Sequence, residues 1–302
     1  MARDEVIALA GDLIVHQFDD IFVIETQAES LHSRLAYCRA VYRFLFICDE
    51  HSLAKTIDAV DWQSFYKGSF AVRFHDGKSK EEAVAVSIAS KLSSPKVDLK
   101  APKTRIDLFH RGDKILCGVL EGENDQDFES RKTHNRKSPH PSSMHPKLCR
   151  WFVNRTGIRK GVLIDPFCGS GGILIEAALM GFDVEGYDID PPMIDRAKDN
   201  LEGSKVNIHL ELRDALSLKG KMAFIATDLP YGRATKANDL IPLYEGFLDL
   251  LEKNLTGCAV IGYPDFVDFE ELVAKRSLKV AGLYQYYLHK SLTKMIIVLI
   301  PR

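Results

Sequence analysis

The sequence predicts an α/β protein in two parts: a doubly wound, mostly parallel sheet in the second half, preceded by an α+β region. Three observations carry this. From about His145 to Arg302, strand-sized apolar runs alternate with helix-period segments. A glycine-rich turn, Asp165-Pro-Phe-Cys-Gly-Ser-Gly-Gly172, separates the first of those strands from the first helix. A polar, basic tract from about Glu123 to Met144, nearly free of aliphatic residues, divides this stretch from what precedes it.

In the second half, Gly161–Asp165 reads as a buried strand and Gly172–Met180 as a helix. Asp183–Tyr187 is a strand, followed by a helix over Pro192–Leu201 whose first turn tolerates proline because no amide is needed there. Val206–Leu210 and Met222–Thr227 are strands, Ile241–Asn254 a helix, Cys258–Gly262 a strand and Phe269–Arg276 a helix. Val280–His289 and Lys294–Ile300 form two last strands around a short polar turn, giving a mixed seven-stranded sheet closed by an antiparallel strand. In the first half, Phe22–Thr26, Ser69–Phe74 and Ile115–Leu120 read as strands, and Leu31–Phe46 and Lys80–Leu92 as helices. The expected divisions are a ferredoxin-like α+β unit over 1–60, a second small unit over 61–122, a basic linker over 123–147 and the large α/β domain over 148–302.

Composition sets bounds. The 302 residues hold 40 Lys+Arg against 42 Asp+Glu, and 46% are hydrophobic, which excludes wholesale disorder. The longest apolar runs, such as Met295–Ile300, are far short of a membrane span. The N-terminus lacks the features of a secretory signal, so a cytoplasmic protein without membrane attachment is expected. Cys38, Cys48, Cys117, Cys149, Cys168 and Cys258 form no C-x-x-C pair, so neither a zinc site nor a disulfide framework is expected, and no metal is assigned.

The turn at 165–172 lies where a doubly wound sheet binds a nucleotide, beyond a strand's carboxyl end. Gly169 and Gly171 permit a tight turn and a close approach by a ligand. It is neither a Walker A loop nor a strict dinucleotide fingerprint. Asp188, 23 positions after Asp165, ends the next strand and can accept hydrogen bonds from ribose hydroxyls. Asp190, just before two prolines, fits a helix N-cap. Asp214 can reach an adenine edge or be a solvated turn acid. The acidic loop would repel a pyrophosphate and suits the cationic sulfonium of S-adenosylmethionine. The expected cofactor residues are Asp165, Phe167, Cys168, Gly169, Ser170, Gly171, Asp188, Ile189, Asp214 and Ala215. A second loop, Asp228-Leu229-Pro230-Tyr231-Gly232, follows another buried strand.

Together, DPFCGSGG and DLPYG resemble the motifs of class I amino-methyltransferases, whose second motif is usually [D/N/S]-P-P-[Y/F/W]. Phe70–Leu120, with KVDLKAPKTRIDLF, looks like a THUMP RNA-binding domain, and DFESRKTHNRKSPHPSSMHPKLCRWFVN looks like the linker that joins it to a guanine-N2 methyltransferase. Nearly the whole chain is similar to the archaeal tRNA guanosine-10 N2-methyltransferase family. Leu229 replaces the usual proline, and RKSPHP departs from the common Arg-Pro-x-x-His-Pro. The resemblance implies a class I, Rossmann-like domain that moves a methyl from S-adenosylmethionine to guanosine N2 in tRNA, at position 10. It implies that Asp228, Leu229, Pro230 and Tyr231 hold the base, and that a small zinc-ribbon activator protein can be a partner. The alternatives are guanosine 6 of tRNA, ribosomal RNA, or a catalytically silent RNA-binding subunit; a DNA amino-methyltransferase would lack the THUMP-like half.

The near-neutral net charge hides a local excess. Between Phe128 and Lys160 nine Lys and Arg face one acid, Glu129, a net +8. Arg131, Lys132, Arg136 and Lys137 are the expected phosphate contacts there, and Lys96, Lys100, Lys103 and Arg105 form a second basic strip.

Overall fold

The computed structural model describes residues 1–11, 14–27, 30–75, 80–231, 240–289 and 292–302. In chain order, the first half supplies α1 (Ala2–Ala10), β1 (Ile14–Gln17), β2 (Phe22–Ile24), β3 (Ala40–Asp49), α2 (Leu53–Ala59), β4 (Phe70–His75), α3 (Glu81–Ala89), β5 (Thr104–Arg111) and β6 (Lys114–Glu123). The second half runs α4 (Pro146–Arg155), β7 (Val162–Asp165), α5 (Gly172–Leu179), β8 (Asp183–Asp188), α6 (Pro191–Leu201), β9 (Ile208–Leu212) and β10 (Met222–Asp228). It continues through α7 (Ile241–Asn254), β11 (Leu255–Pro264), α8 (Phe269–Ala274), β12 (Leu278–His289) and β13 (Leu292–Pro301). Among the described residues no helix is long and apolar enough to cross a membrane.

The chain divides into two units, residues 13–33 with 38–125, and residues 1–12 and 34–37 with 126–302. In the smaller unit, β3, β6, β5 and β4 form one sheet in that order. This corrects two expectations. The 31–46 segment is not a helix: only Leu31–Ser33 makes a helical turn, and the β-branched and aromatic residues of Ala40–Asp49 pair antiparallel with β6. Nor does a boundary fall at residue 60. β3 lies on one side of it in sequence and β4, β5 and β6 on the other, yet they share one sheet and one core, where Phe46, Ile57, Trp62, Phe70, Ile88 and Ile106 are buried together. Asp107 is fully buried on β5. It accepts Arg105 Nε and Nη2 at 2.9 and 2.8 Å and the Tyr42 hydroxyl at 2.9 Å, so a charge in the sheet is fully partnered.

The larger unit carries a seven-stranded sheet in the order β12-β13-β11-β10-β7-β8-β9, with β13 antiparallel to both neighbours and the rest parallel. This is the mixed, doubly wound sheet that the alternation of strands and helices predicts. Period-2 alternation splits its central strands between two cores. Ile225, Ala259, Ile261, Ile297 and Leu299 pack with Tyr244, Phe247 and Phe269 of α7 and α8. Their neighbours Ala226, Val260, Ile296 and Val298 pack with Trp151, Phe152, Ile173, Leu174 and Ile194 of α4, α5 and α6. The strand order reverses at β7: the chain steps outward through β8 and β9, then returns to lay β10 along β7's other edge.

The linker and the N-terminus both belong to this unit, which the expected boundary at 148 does not reflect. Glu5 of α1 is buried, and its carboxylate accepts the amides of Ala36 and Tyr37 at 2.7 and 3.0 Å and Asn154 Nδ2 of α4 at 2.7 Å. Burial pushes its carboxyl above the ordinary value, and the three hydrogen bonds pull against that. Trp151 Nε1 donates to the Met1 carbonyl at 3.0 Å. Replacing Glu5 by alanine strands these donors, and the expected loss is roughly 3 kcal/mol. Urea unfolding of Glu5→Ala against wild type measures it.

Candidate active site

The groups expected at the site follow the carboxyl ends of β7, β8, β9 and β10, and between β7 and β10 the reversal of strand order leaves a crevice that no crossover helix covers. Asp165 ends β7 and is 2% exposed. Its Oδ1 accepts the Thr227 hydroxyl at 2.6 Å and the Phe167 amide at 3.2 Å. Burial raises its carboxyl to about 7, and those two hydrogen bonds oppose the rise.

The loop that follows is built on two left-handed glycines, Gly169 at φ 51° and Gly171 at φ 83°. Gly171 N–H donates to the Cys168 carbonyl at 2.9 Å, closing the turn into α5. A side chain at Gly171 would crowd Ala197 of α6, whereas one at Gly169 would meet open space. Cys168 is buried, with its thiol pushed up by that burial. Phe167 is wedged edge-on against Phe247, centroids 5.2 Å apart. These two residues frame the turn from beneath. Ser170 is buried too, and its hydroxyl shares a 2.7 Å hydrogen bond with Ser143 of the linker.

Asp188 ends β8 opposite this turn. Its Oδ2 accepts Gly169 N–H at 2.8 Å and its Oδ1 accepts Asp190 N–H at 2.9 Å. The carboxylate therefore locks the glycine turn while each oxygen retains a second lone pair for a hydroxyl. Ile189 follows, 75% exposed at the lip of the crevice, an apolar surface without an internal partner. Asp190 occupies the N-cap position of α6, though its side chain makes no capping bond. Asp214 accepts Leu216 N–H at 2.9 Å and so caps a short 3-10 turn, above buried Ala215. An exposed apolar residue, two strand-end acids and a glycine turn open to approach fit a nucleoside carrying a cationic tail.

Asp228 ends β10 beside β7. Leu229 N–H donates to the Gly262 carbonyl at 2.9 Å, and Leu229 is buried, so leucine in place of the usual proline is held by packing and one backbone bond. Tyr244 of α7 donates its hydroxyl to the Pro230 carbonyl at 2.7 Å. The Tyr231 hydroxyl donates to Asp228 Oδ1 at 3.0 Å, and burial with the adjacent carboxylate pushes this phenol up. Lys294 of β13 pairs with Asp228 Oδ2 and lies 4.8 Å from the Tyr231 ring centroid. Gly232 lies outside the described residues.

Sequence reasoning missed Thr227, Tyr244, Gly262 and Lys294. Only Lys294 left a trace, as the one charge in the otherwise apolar stretch Met295–Ile300 and its flank. Among the described residues no three His, Cys, Asp or Glu come together to hold a metal.

The chain's residues 133–294 match the RMKL-like methyltransferase domain (UPF0020), a span of more than half its length. The chain belongs to this methyltransferase family. It is 34% identical over 282 residues to the tRNA (guanine(10)-N2)-dimethyltransferase of Methanothermobacter thermautotrophicus, covering 88% of this chain and 83% of that protein. The Pyrococcus abyssi protein of the same description is 33% identical over 261 residues, covering 82% and 78%. The fold is also that of a possible methylase from Clostridium difficile 630, with a TM-score of 0.52 over 100% of this chain and 95% of that one at 19% identity. The chain is thus a class I methyltransferase with S-adenosylmethionine as its cofactor.

The basic residues divide differently from the expectation. Arg105 is spent on Asp107 and Glu123. In the linker, Arg131 pairs with Glu176 of α5 at 2.7 Å, Lys132 with Glu129 at 2.6 Å, and Lys137 with Glu202, just past the end of α6, at 2.5 Å. Arg136 donates Nε to the Arg131 carbonyl at 3.2 Å, with its guanidinium against Gly172. The basic tract is a strap fastened to acids of α5 and α6 rather than an open stripe. Lys96, Lys100 and Lys103 are exposed and enter no ion pair among the described residues.

Asp165 gives a pH signature. An unfolded aspartate titrates near 4 and the folded one at about 7, so the fold holds this proton more tightly. Stability of the ligand-free protein should fall as pH rises between those values. Asp165→Asn should flatten that slope, as read from Tm at pH 5.0 to 7.5; parallel slopes would show that another group titrates.

Proposed function

We propose that this chain methylates the exocyclic N2 of a guanosine in tRNA, at position 10, with S-adenosylmethionine as donor. One observation carries the reading: the Asp228–Tyr231 loop opens at the same strand-order reversal as the glycine turn and Asp188. The relatives are named dimethyltransferases, so addition of both methyl groups, giving N2,N2-dimethylguanosine, is part of the proposal. When bound, the cofactor supplies an electrophilic methyl on a cationic sulfur.

The N2 lone pair of guanine is delocalised into the ring and is a poor nucleophile. Asp228 Oδ1 accepts one N–H and the Leu229 carbonyl the other, which fixes the amino group with its lone pair directed at the reacting carbon. Such orientation supplies much of the rate in a reaction with no covalent intermediate. The methylated nitrogen is strongly acidic, and Asp228 takes its proton. Tyr231 stacks on a base withdrawn from its helix. Asp188 receives the ribose hydroxyls, Ile189 and Ala215 flank the adenine, and Asp214 sits at its edge. Asp165, Phe167, Cys168, Ser170 and the two glycines shape the turn.

The smaller unit is proposed as the THUMP-type RNA-binding module, with Lys96, Lys100 and Lys103 on tRNA phosphates. The strapped residues Arg131, Lys132, Arg136 and Lys137 position the linker, and Arg105 serves the sheet. A cytoplasmic location accompanies a tRNA substrate, and the zinc-ribbon activator is a partner to add to the assay.

Labelled S-adenosylmethionine, an unmodified tRNA transcript and nucleoside digestion test the reading, with and without such an activator. N2-methylated guanosine at position 10 is expected, and its absence from every RNA, ribosomal RNA included, overturns the proposal. Asp228→Ala should slow methylation about a thousand-fold or more while tRNA affinity changes little. Replacing Lys96, Lys100 and Lys103 together by alanine should weaken tRNA binding and reduce the salt slope by roughly two to three units. Replacing Arg105 instead should lower Tm.

A further inference from the structure

Lys294 is 2% exposed, within a strand whose following residues, Ile296, Ile297, Val298 and Leu299, are all buried and apolar. Burying an ammonium is costly unless a close opposite charge and further polar contacts offset it. Among the described residues Lys294 has one anionic partner, Asp228 Oδ2, and the face of the Tyr231 ring 4.8 Å away. A lysine placed only to stabilise the sheet has no need of this location; leucine would pack there at less cost.

The route to Asp228 is built into the sheet. β11 lies between β13 and β10, so Lys294 must reach across it. The register sets Gly262 of β11 opposite both Asp228 and Ile296, on the face that Lys294 shares with Ile296 and Val298. A side chain at Gly262 would run into Asp228 Oδ1. The missing Cβ leaves room over β11 for the carboxylate that a residue two strands away touches.

The two oxygens of Asp228 are consequently unequal. Oδ2 is held by a buried ammonium on a β-strand, and Oδ1 by a phenol on a loop. We propose that Lys294 is a positioning residue for methyl transfer, clamping Oδ2 so that Oδ1 alone turns to the incoming amino group, which displaces the Tyr231 hydroxyl and leaves the lysine in place. This rests on the assignment of Asp228 above. The phenol keeps Oδ1 engaged until the base arrives, and its release frees the ring to stack. The ammonium faces a carboxylate that gains a proton when the methylated nitrogen loses one, so the clamp turns from an ion pair into a hydrogen bond without moving. Lysine suits this role because its three donors serve the carboxylate in either state.

Single-turnover methylation of the tRNA transcript by Lys294→Met tests the proposal, at saturating S-adenosylmethionine. The maximal rate should fall about 100-fold, the scale of a misplaced reacting group. The dissociation constants for S-adenosylmethionine and tRNA should stay within about threefold. A maximal rate close to wild type overturns the proposal, as does a loss confined to binding. The Asp228→Asn/Lys294→Met pair removes both charges and covers the case in which Lys294→Met alone does not fold. If Lys294 acts through Asp228, the pair matches the residual rate of Asp228→Asn, and a further large drop overturns the proposal. Failure of the underlying assignment looks different, because Asp228→Ala would then retain activity whatever Lys294 does.

Discussion

A parallel strand must be left by a crossover that climbs back over one face of the sheet, and two neighbouring strands whose crossovers depart in opposite directions leave their carboxyl ends uncovered. In this protein that happens once, between β7 and β10. The glycine turn hangs from one strand and the Asp-Leu-Pro-Tyr loop from the other, and Thr227 of β10 donates directly to Asp165 of β7. The proposed chemistry gathers at this seam because both loops leave the sheet there. The two apolar cores hold the seam's walls rigid from either face.

Charge is handled in three distinct ways around that seam. Asp165 is buried among dipoles and raised toward neutrality, so it acts as a structural hydrogen-bond hub. Asp188 is tied to two backbone amides and presents its remaining lone pairs to the crevice. Asp228 is paired with a buried lysine and a phenol. Three aspartates at three strand ends thus have three electrostatic settings, decided by what packs beside each rather than by residue type.

The linker shows how misleading a local charge count can be. Its net +8 reads as a phosphate-binding stripe until the partners are known. Glu176, Asp199 and Glu202 lie far away in sequence and meet Arg131 and Lys137 only because α5 and α6 flank the tract. Such pairs contribute little each at exposed positions, and Lys96, Lys100 and Lys103 enter none among the described residues.

The sequence by itself determined the larger unit's topology, because helix and strand periods alternate clearly there. It also determined the two loops, since a left-handed turn needs glycine and a strand-end acid before Pro-Tyr is readable in order. Only the tertiary structure decided what depended on partners remote in the chain. Within the 31–46 segment, the part from Ala40 onward became strand because β6, some 75 residues later, offered it a ladder. Glu5 drew α1 into the larger unit. Lys294, 66 positions from Asp228, meets it only because the sheet sets β11, with Gly262 opposite Asp228, between their two strands. Periodicity and turn chemistry are local and can be read in one dimension. Burial, pairing and the cost of an unpartnered charge are set by neighbours in space.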